Sequence, residues 1–187
     1  MSGRHKVKDA TKERSKMSEP SRVLIGKQNK ENGAYFEQLI MYSCEQYQKR
    51  GICVIEKTPE PFHIIGKSKN IVHGYYEAKG QPDFKGALCD GSCIIFEAKH
   101  TSNDKIKQNV ITPLQWETLD FYESMQAHCF VMISLALSDF FRVPWKEFKQ
   151  MKERFGHKYM SKEELQPYIL TKNGLFLHIL DGIKLRE

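Results

Sequence analysis

The sequence predicts one domain of mixed α and β structure, with a central mixed sheet flanked by helices. Three observations carry that expectation. Apolar residues recur three and four apart between residues 31 and 49, the spacing of one helical stripe. Runs rich in β-branched and apolar residues at 52–57, 92–99 and 129–135 have the length and composition of strands. Helical and strand segments then alternate to the end of the chain, and a length of 187 residues suits a single well-buried core.

Residues 1–30 are rich in Lys, Arg, Ser and Glu and nearly free of aromatic side chains. Such a stretch buries too little surface to offset chain entropy, so a flexible basic arm is expected ahead of a domain at 31–187. The arm either tracks a polyanion or only solubilises the chain. The helix at 31–49 presents Phe36, Leu39, Ile40, Ser43, Cys44 and Tyr47, and Gly51 stops it. The strand at 52–57 ends at Thr58-Pro59-Glu60-Pro61, where two prolines forbid a central strand.

Residues 62–79 are more weakly patterned and carry Lys67, Lys69 and Lys79, His63 and His73, Tyr75 and Tyr76. They read as an excursion from the core. Segments 82–88 and 92–99 flank Asp90-Gly91, a strong turn pair, and form a β-hairpin. Pro113 opens a helix over 114–126, where a missing N–H is harmless. A buried strand at 129–135, a partner at 140–143, a short helix from Pro144 and a helix opened by the capping box Ser161-Lys162-Glu163-Glu164 complete the order.

A net charge of +6 and a pI of ≈ 9.0 favour a polyanionic partner: RNA, DNA or acidic lipid. No apolar run is long enough to span a bilayer and no signal-peptide core is present, so a cytoplasmic protein without membrane contact is expected. Five cysteines, Cys44, Cys53, Cys89, Cys93 and Cys129, form no CxxC pair and read as free thiols in a reducing compartment. A zinc site at Cys89, Cys93 and His100 would lack a fourth ligand.

The candidate chemistry lies on the hairpin. Hydrolysis of a phosphodiester by a metal-dependent nuclease needs oxygen ligands for magnesium, an activated water and a cation near the developing charge. Asp83, Glu97 and Lys99 are those chemical types. Glu97 and Lys99 are two apart on a strand and share a face. A two-residue loop at Asp90-Gly91 would set Asp83 opposite Ala98 and turn it away. A three-residue loop, Cys89-Asp90-Gly91, sets it opposite Glu97, with Gly91 suited to the left-handed position. The alternative is a solvated sheet face with an ion pair, against which stands the cost of charges at the end of an apolar run. Glu37, beside Phe36, is a further acidic candidate or a solvated helix carboxylate. Gln115, in the first turn of the second helix, offers an amide oxygen to a metal or its water, or is only a polar helix-start residue.

These residues resemble the RecU-type Holliday junction resolvases of the PD-(D/E)xK nuclease superfamily. The similarity spans residues 33–170 and is carried by Gly33-Ala34-Tyr35-Phe36-Glu37, Lys57-Thr58-Pro59-Glu60-Pro61, Pro82-Asp83-Phe84-Lys85-Gly86, Ile95-Phe96-Glu97-Ala98-Lys99-His100-Thr101 and Pro113-Leu114-Gln115. The resemblance implies a restriction-endonuclease-like fold with a projecting stalk at about 62–79, shorter here than is usual. It also implies Mg²⁺, or Mn²⁺ in its place, held by Asp83, Glu97 and Gln115, with Lys99 stabilising the transition state and Glu37 nearby. Lys57, Lys67, Lys69, Lys79 and Lys85 would bind DNA. A Thr expected as a further metal ligand is here Gln81, and the usual Asn-Arg-Gly is Glu31-Asn32-Gly33, so the chain reads as a divergent member, bacterial or phage-borne. The implied reaction is paired cleavage of a four-way DNA junction by a homodimer, two equivalent strands calling for two equivalent sites. The alternatives are a nuclease of the same superfamily acting on another DNA structure and a DNA-binding module without catalysis.

Overall fold

The computed structural model describes residues 19–59, 62–69, 71–76 and 81–185. Residues 1–18 of the expected arm, together with Lys79, lie outside them. Helix α1 (Glu19–Lys49) is longer than the apolar stripe that signals it. Phe36, Leu39, Ile40, Ser43, Cys44 and Tyr47 are buried, whereas Leu24 and Ile25 in the earlier half are exposed. The stripe therefore reports only the packed half. The earlier half has local bonds, Lys27 with Glu31 at 3.9 Å and Gln28 Nε2 donating to Asn32 Oδ1 at 2.9 Å, and the described side chains of residues 24–31 are exposed. Residues 19–30, expected within the arm, are thus helical, and Ser102 Oγ donates to Asn29 Oδ1 at 2.8 Å.

The main sheet contains β1 (Cys53–Lys57), β4 (Phe84–Leu88), β5 (Cys93–Thr101), β7 (His128–Leu135) and β8 (Asp139–Pro144), in the order β1-β4-β5-β7-β8. Every pairing is antiparallel except that of β5 with β7. A parallel pair needs a crossover, and α2 (Pro113–Ser124) lies within it. The sheet is mixed and flanked by helices, as the alternation of segments predicts. One face packs α1 through Phe36, Leu39 and Ile40 against Phe84, Phe96 and Phe130. Phe96 stacks between the other two rings, at centroid distances of 4.9 and 4.6 Å. The other face packs Ile95, Val131 and Ile133 against Leu119 of α2 and against Trp145 and Phe148 of α3 (Trp145–Lys149).

Residues 62–79 are expected to leave the core and, by the resemblance, to project as a stalk. Within them β2 (Phe62–Ser68) and β3 (Ile71–Tyr76) form an antiparallel hairpin that pairs with no strand of the main sheet. Phe62, Ile64, Ile65, Ile71, Val72 and Tyr75 are exposed. Their apolar side chains gave no two-period alternation because neither hairpin face is buried. Short strands β6 (Lys105–Lys107) and β9 (Tyr159–Ser161) pair beyond the sheet, as do β10 (Lys172–Asn173) and β11 (Phe176–Leu177). Two- and three-residue strands have no readable period. Helix α4 (Met151–Phe155) precedes β9, and α5 (Lys162–Leu165) opens on the Ser161–Glu164 capping box.

Candidate active site

The turn between β4 and β5 fixes the site. Leu88 N donates to Ser92 O and Gly91 N to Leu88 O, both at 2.9 Å, which closes a three-residue loop over Cys89, Asp90 and Gly91. Gly91 takes the left-handed conformation, φ +80. The register is Phe84 against Phe96 and Ala87 against Cys93. Continued by one residue, it brings Asp83 opposite Glu97. Both then share the face of Ile95, beneath α2.

Pro82 has no N–H to extend the ladder, and β4 begins only at Phe84. Asp83 takes up the adjacent backbone instead: Oδ2 accepts from Ala98 N at 2.9 Å. Its own carbonyl accepts from Thr58 N at 2.9 Å, tying the residue to the end of β1. Lys99 Nζ lies 2.7 Å from Glu97 Oε2 and 3.5 Å from Asp83 Oδ2. The ammonium thus bridges both carboxylates.

Glu97 has no exposed surface. Oε2 accepts from Lys99 and, at 2.6 Å, from Gln115 Nε2, while Oε1 is buried with no hydrogen-bond donor. Burial pushes its carboxyl up to about 8; Lys99 opposes the rise and Asp83 adds to it. A buried carboxylate with an unmet oxygen beside a second carboxylate is costly unless a proton or a cation compensates it. Hard oxygen donors of this kind suit Mg²⁺, which takes one or two carboxylates and fills its remaining positions with water and phosphate oxygens. Among the described residues no three His, Cys, Asp or Glu side chains gather to bind a metal.

Gln115 presents its amide nitrogen, not its oxygen, to Glu97. Thr112 caps α2, with Thr112 Oγ1 accepting from Gln115 N and Gln115 Oε1 accepting from Thr112 N at 3.1 Å. The amide oxygen is committed to the cap, and the amide nitrogen faces Glu97. Thr112-Pro113-Leu114-Gln115 is a legible capping box, with Pro at the first helical position, so the oxygen's engagement had a sequence signal beside that of Pro113.

The other candidates stand apart. Gln81 is exposed, and its Oε1 accepts from Lys85 Nζ at 3.2 Å. Glu37 pairs with Lys57 at 2.6 Å on the α1 side, since Lys57 is in register with Phe84, and no hydrogen bond or ion pair joins it to Asp83, Glu97 or Lys99 among the described residues. Lys85 is exposed and in register with Ile95, which puts it on the face of the carboxylates. Lys67 and Lys69 are exposed on the separate hairpin. Cys93 and His100 begin and nearly end β5, roughly 20 Å apart at the rise of a strand, too far to share a zinc ion. The described cysteines are free, and burial raises the thiols of Cys93, Cys53 and Cys129, the last two to about 11 and 12.

The family model for Recombination protein U matches residues 31–185. The chain belongs to this family. It is 28% identical over 153 residues to the Holliday junction resolvase RecU of Staphylococcus saprophyticus, covering 78% of this chain and 72% of that protein. Identity to the protein of the same name from Streptococcus sanguinis is 28% over 129 residues, covering 65% and 63% of the two chains. A solved structure of the Archaeoglobus fulgidus Holliday junction resolvase Hjc is similar at a TM-score of 0.46 and 13% identity, covering 73% of this chain and 89% of that one. The RecU match takes in Asp83, the strand that carries Glu97 and Lys99, and the helix that carries Gln115.

Proposed function

We propose that this RecU family member is a metal-dependent endonuclease that resolves four-way DNA junctions by paired phosphodiester hydrolysis. The observation that carries the reading is the gathering of Asp83, Glu97 and Lys99 on one face with Glu97 Oε1 unmet. Family membership and the resolvase names of the relatives support the junction as substrate.

In this reading Asp83 and Glu97 hold Mg²⁺, with Mn²⁺ as a substitute. When bound, the ion supplies positive charge to the phosphate oxygens and lowers the pKa of a coordinated water. Lys99 offsets charge on the pentacoordinate phosphate and orients the attacking water. The Ala98 N–H fixes the Asp83 carboxylate, and the Gln115 amide N–H fixes Glu97 Oε2 so that Oε1 is the oxygen left for the ion. Gln115 and Gln81 supply oxygens to the ion only if each amide leaves its present partner, Thr112 or Lys85. The water oxygen bonds to phosphorus as one ester bond breaks, leaving a phosphate monoester and a hydroxyl. Lys85 contacts the phosphate backbone beside the site, while Lys67 and Lys69 on the hairpin reach a more distant part of the branched DNA. Two copies in a symmetric dimer cut the two equivalent strands.

The test incubates wild type, Asp83→Ala and Lys99→Ala with Mg²⁺ and labelled four-way, duplex and single-stranded DNA. Symmetric paired nicks confined to the junction, lost in both variants, are expected. Equal cutting of linear duplex overturns the specificity, and tight junction binding without cleavage makes the protein a binding module.

A further inference from the structure

A cleft of about 620 Å³ opens beside the first turn of α2 and has no part in the chemistry described above. Its lining includes the apolar Ile111, Pro113 and Trp116 and the polar Lys107, Asn109 and Lys158. Pairing of β6 with β9 brings the two lysine-bearing segments together, and Gln108 N donates to Lys158 O at 3.0 Å. Both lysines are exposed, and neither makes an ion pair with a described residue. Trp116 is held edge-on against Trp145, with centroids 4.7 Å apart, and remains partly exposed.

We infer that this cleft receives one unstacked nucleotide of the strand being cut, with its base against Trp116 and its flanking phosphates at Lys107 and Lys158. The inference rests on the nuclease reading and names a subsite for it. A cavity of this volume with apolar walls and a few polar groups suits a small planar ligand, and the paired cations supply the complement to phosphate. Aromatic faces hold bases without regard to sequence. Bases stacked inside a continuous duplex cannot enter a concave pocket, whereas a nucleotide at a branch point is less costly to unstack. The cleft also adjoins the carboxylates. Thr112 lines it and caps Gln115, whose amide donates to Glu97, so a single residue separates the cleft wall from the site.

The test measures equilibrium binding of the full chain, without added metal, to a labelled four-way junction and to a linear duplex of the same sequence. Cut positions with Mg²⁺ are then mapped. Trp116→Leu is expected to weaken junction binding about tenfold, to leave duplex binding within about twofold, and to scatter the cut positions. Trp116→Phe, which keeps a ring, restores both. Lys107→Gln with Lys158→Gln is expected to lower the slope of log K against log salt by about 1.4 to 1.8. Equal loss on junction and duplex, or variants that bind and cut like wild type, overturns the inference. Should Trp116→Leu fail to fold, the exposed lysine pair decides. Wild type that neither binds nor cuts DNA removes the nuclease reading itself; wild type that cuts, with unchanged variants, removes only the cleft.

Discussion

At Glu97 a carboxyl group with no exposed surface divides its two oxygens unequally: one meets Lys99 and Gln115, the other meets no donor. Its folded pKa, about 8, lies above the ordinary 4.5. Stability linked to the bound proton is therefore full below the unfolded pKa and is lost as pH rises through about 8. Glu97→Gln keeps the shape and removes the titration. Without metal, its melting temperature is expected to exceed that of wild type at pH 8.5, by an amount corresponding to a few kcal/mol, and to converge toward wild type near pH 5. A difference independent of pH would count against the assignment. The same substitution is expected to lower cleavage by about 10³-fold or more and to abolish the thermal stabilisation expected when Mg²⁺ is added to wild type.

Among the elements, β4 sets the register that brings Asp83, just before it, opposite Glu97 of β5. A side chain at Gly86 would overlap Val54 O of β1, so Gly86→Ala must displace an edge strand and is expected to cost about 1–3 kcal/mol in a urea melt. The cap of α2 gives a second check: Thr112→Ala is expected to cost about 1 kcal/mol and, by loosening Gln115, to lower kcat. A fall in affinity alone would contradict that placement. These two elements also show where the sequence was legible. The carboxylate face could be written as a parity condition on a loop, because strands have a strict period of two and Gly91 favours one conformation. Gln115 could be placed near Glu97, but which end of its amide faced the carboxylate depended on Thr112, whose capping role competes for the same oxygen. Helix α1 was legible only where it packs, and β2 and β3 were not legible at all as strands, since periodicity records burial and neither has any.

For the whole molecule, the positive charge and the dimer proposal make a joint expectation. Raising salt should weaken junction binding steeply, and at protein concentrations low enough to dissociate the dimer, paired cutting should give way to single nicks. Sedimentation across the same concentration range checks this; paired cuts from a demonstrated monomer would exclude it. No described helix is long and apolar enough to cross a membrane.

The separation of the β2–β3 hairpin from the main sheet has an evolutionary meaning. Substitutions, and even changes of length, in a ribbon that shares no strand pairing with the catalytic face leave the reaction centre where it is. If the hairpin meets DNA as proposed, descendants can change that contact at little risk to the carboxylate face, whereas a change of length in the β4–β5 turn would alter the register that aligns Asp83 with Glu97. Within this lineage the ribbon is expected to vary faster than Asp83, Glu97 and Lys99.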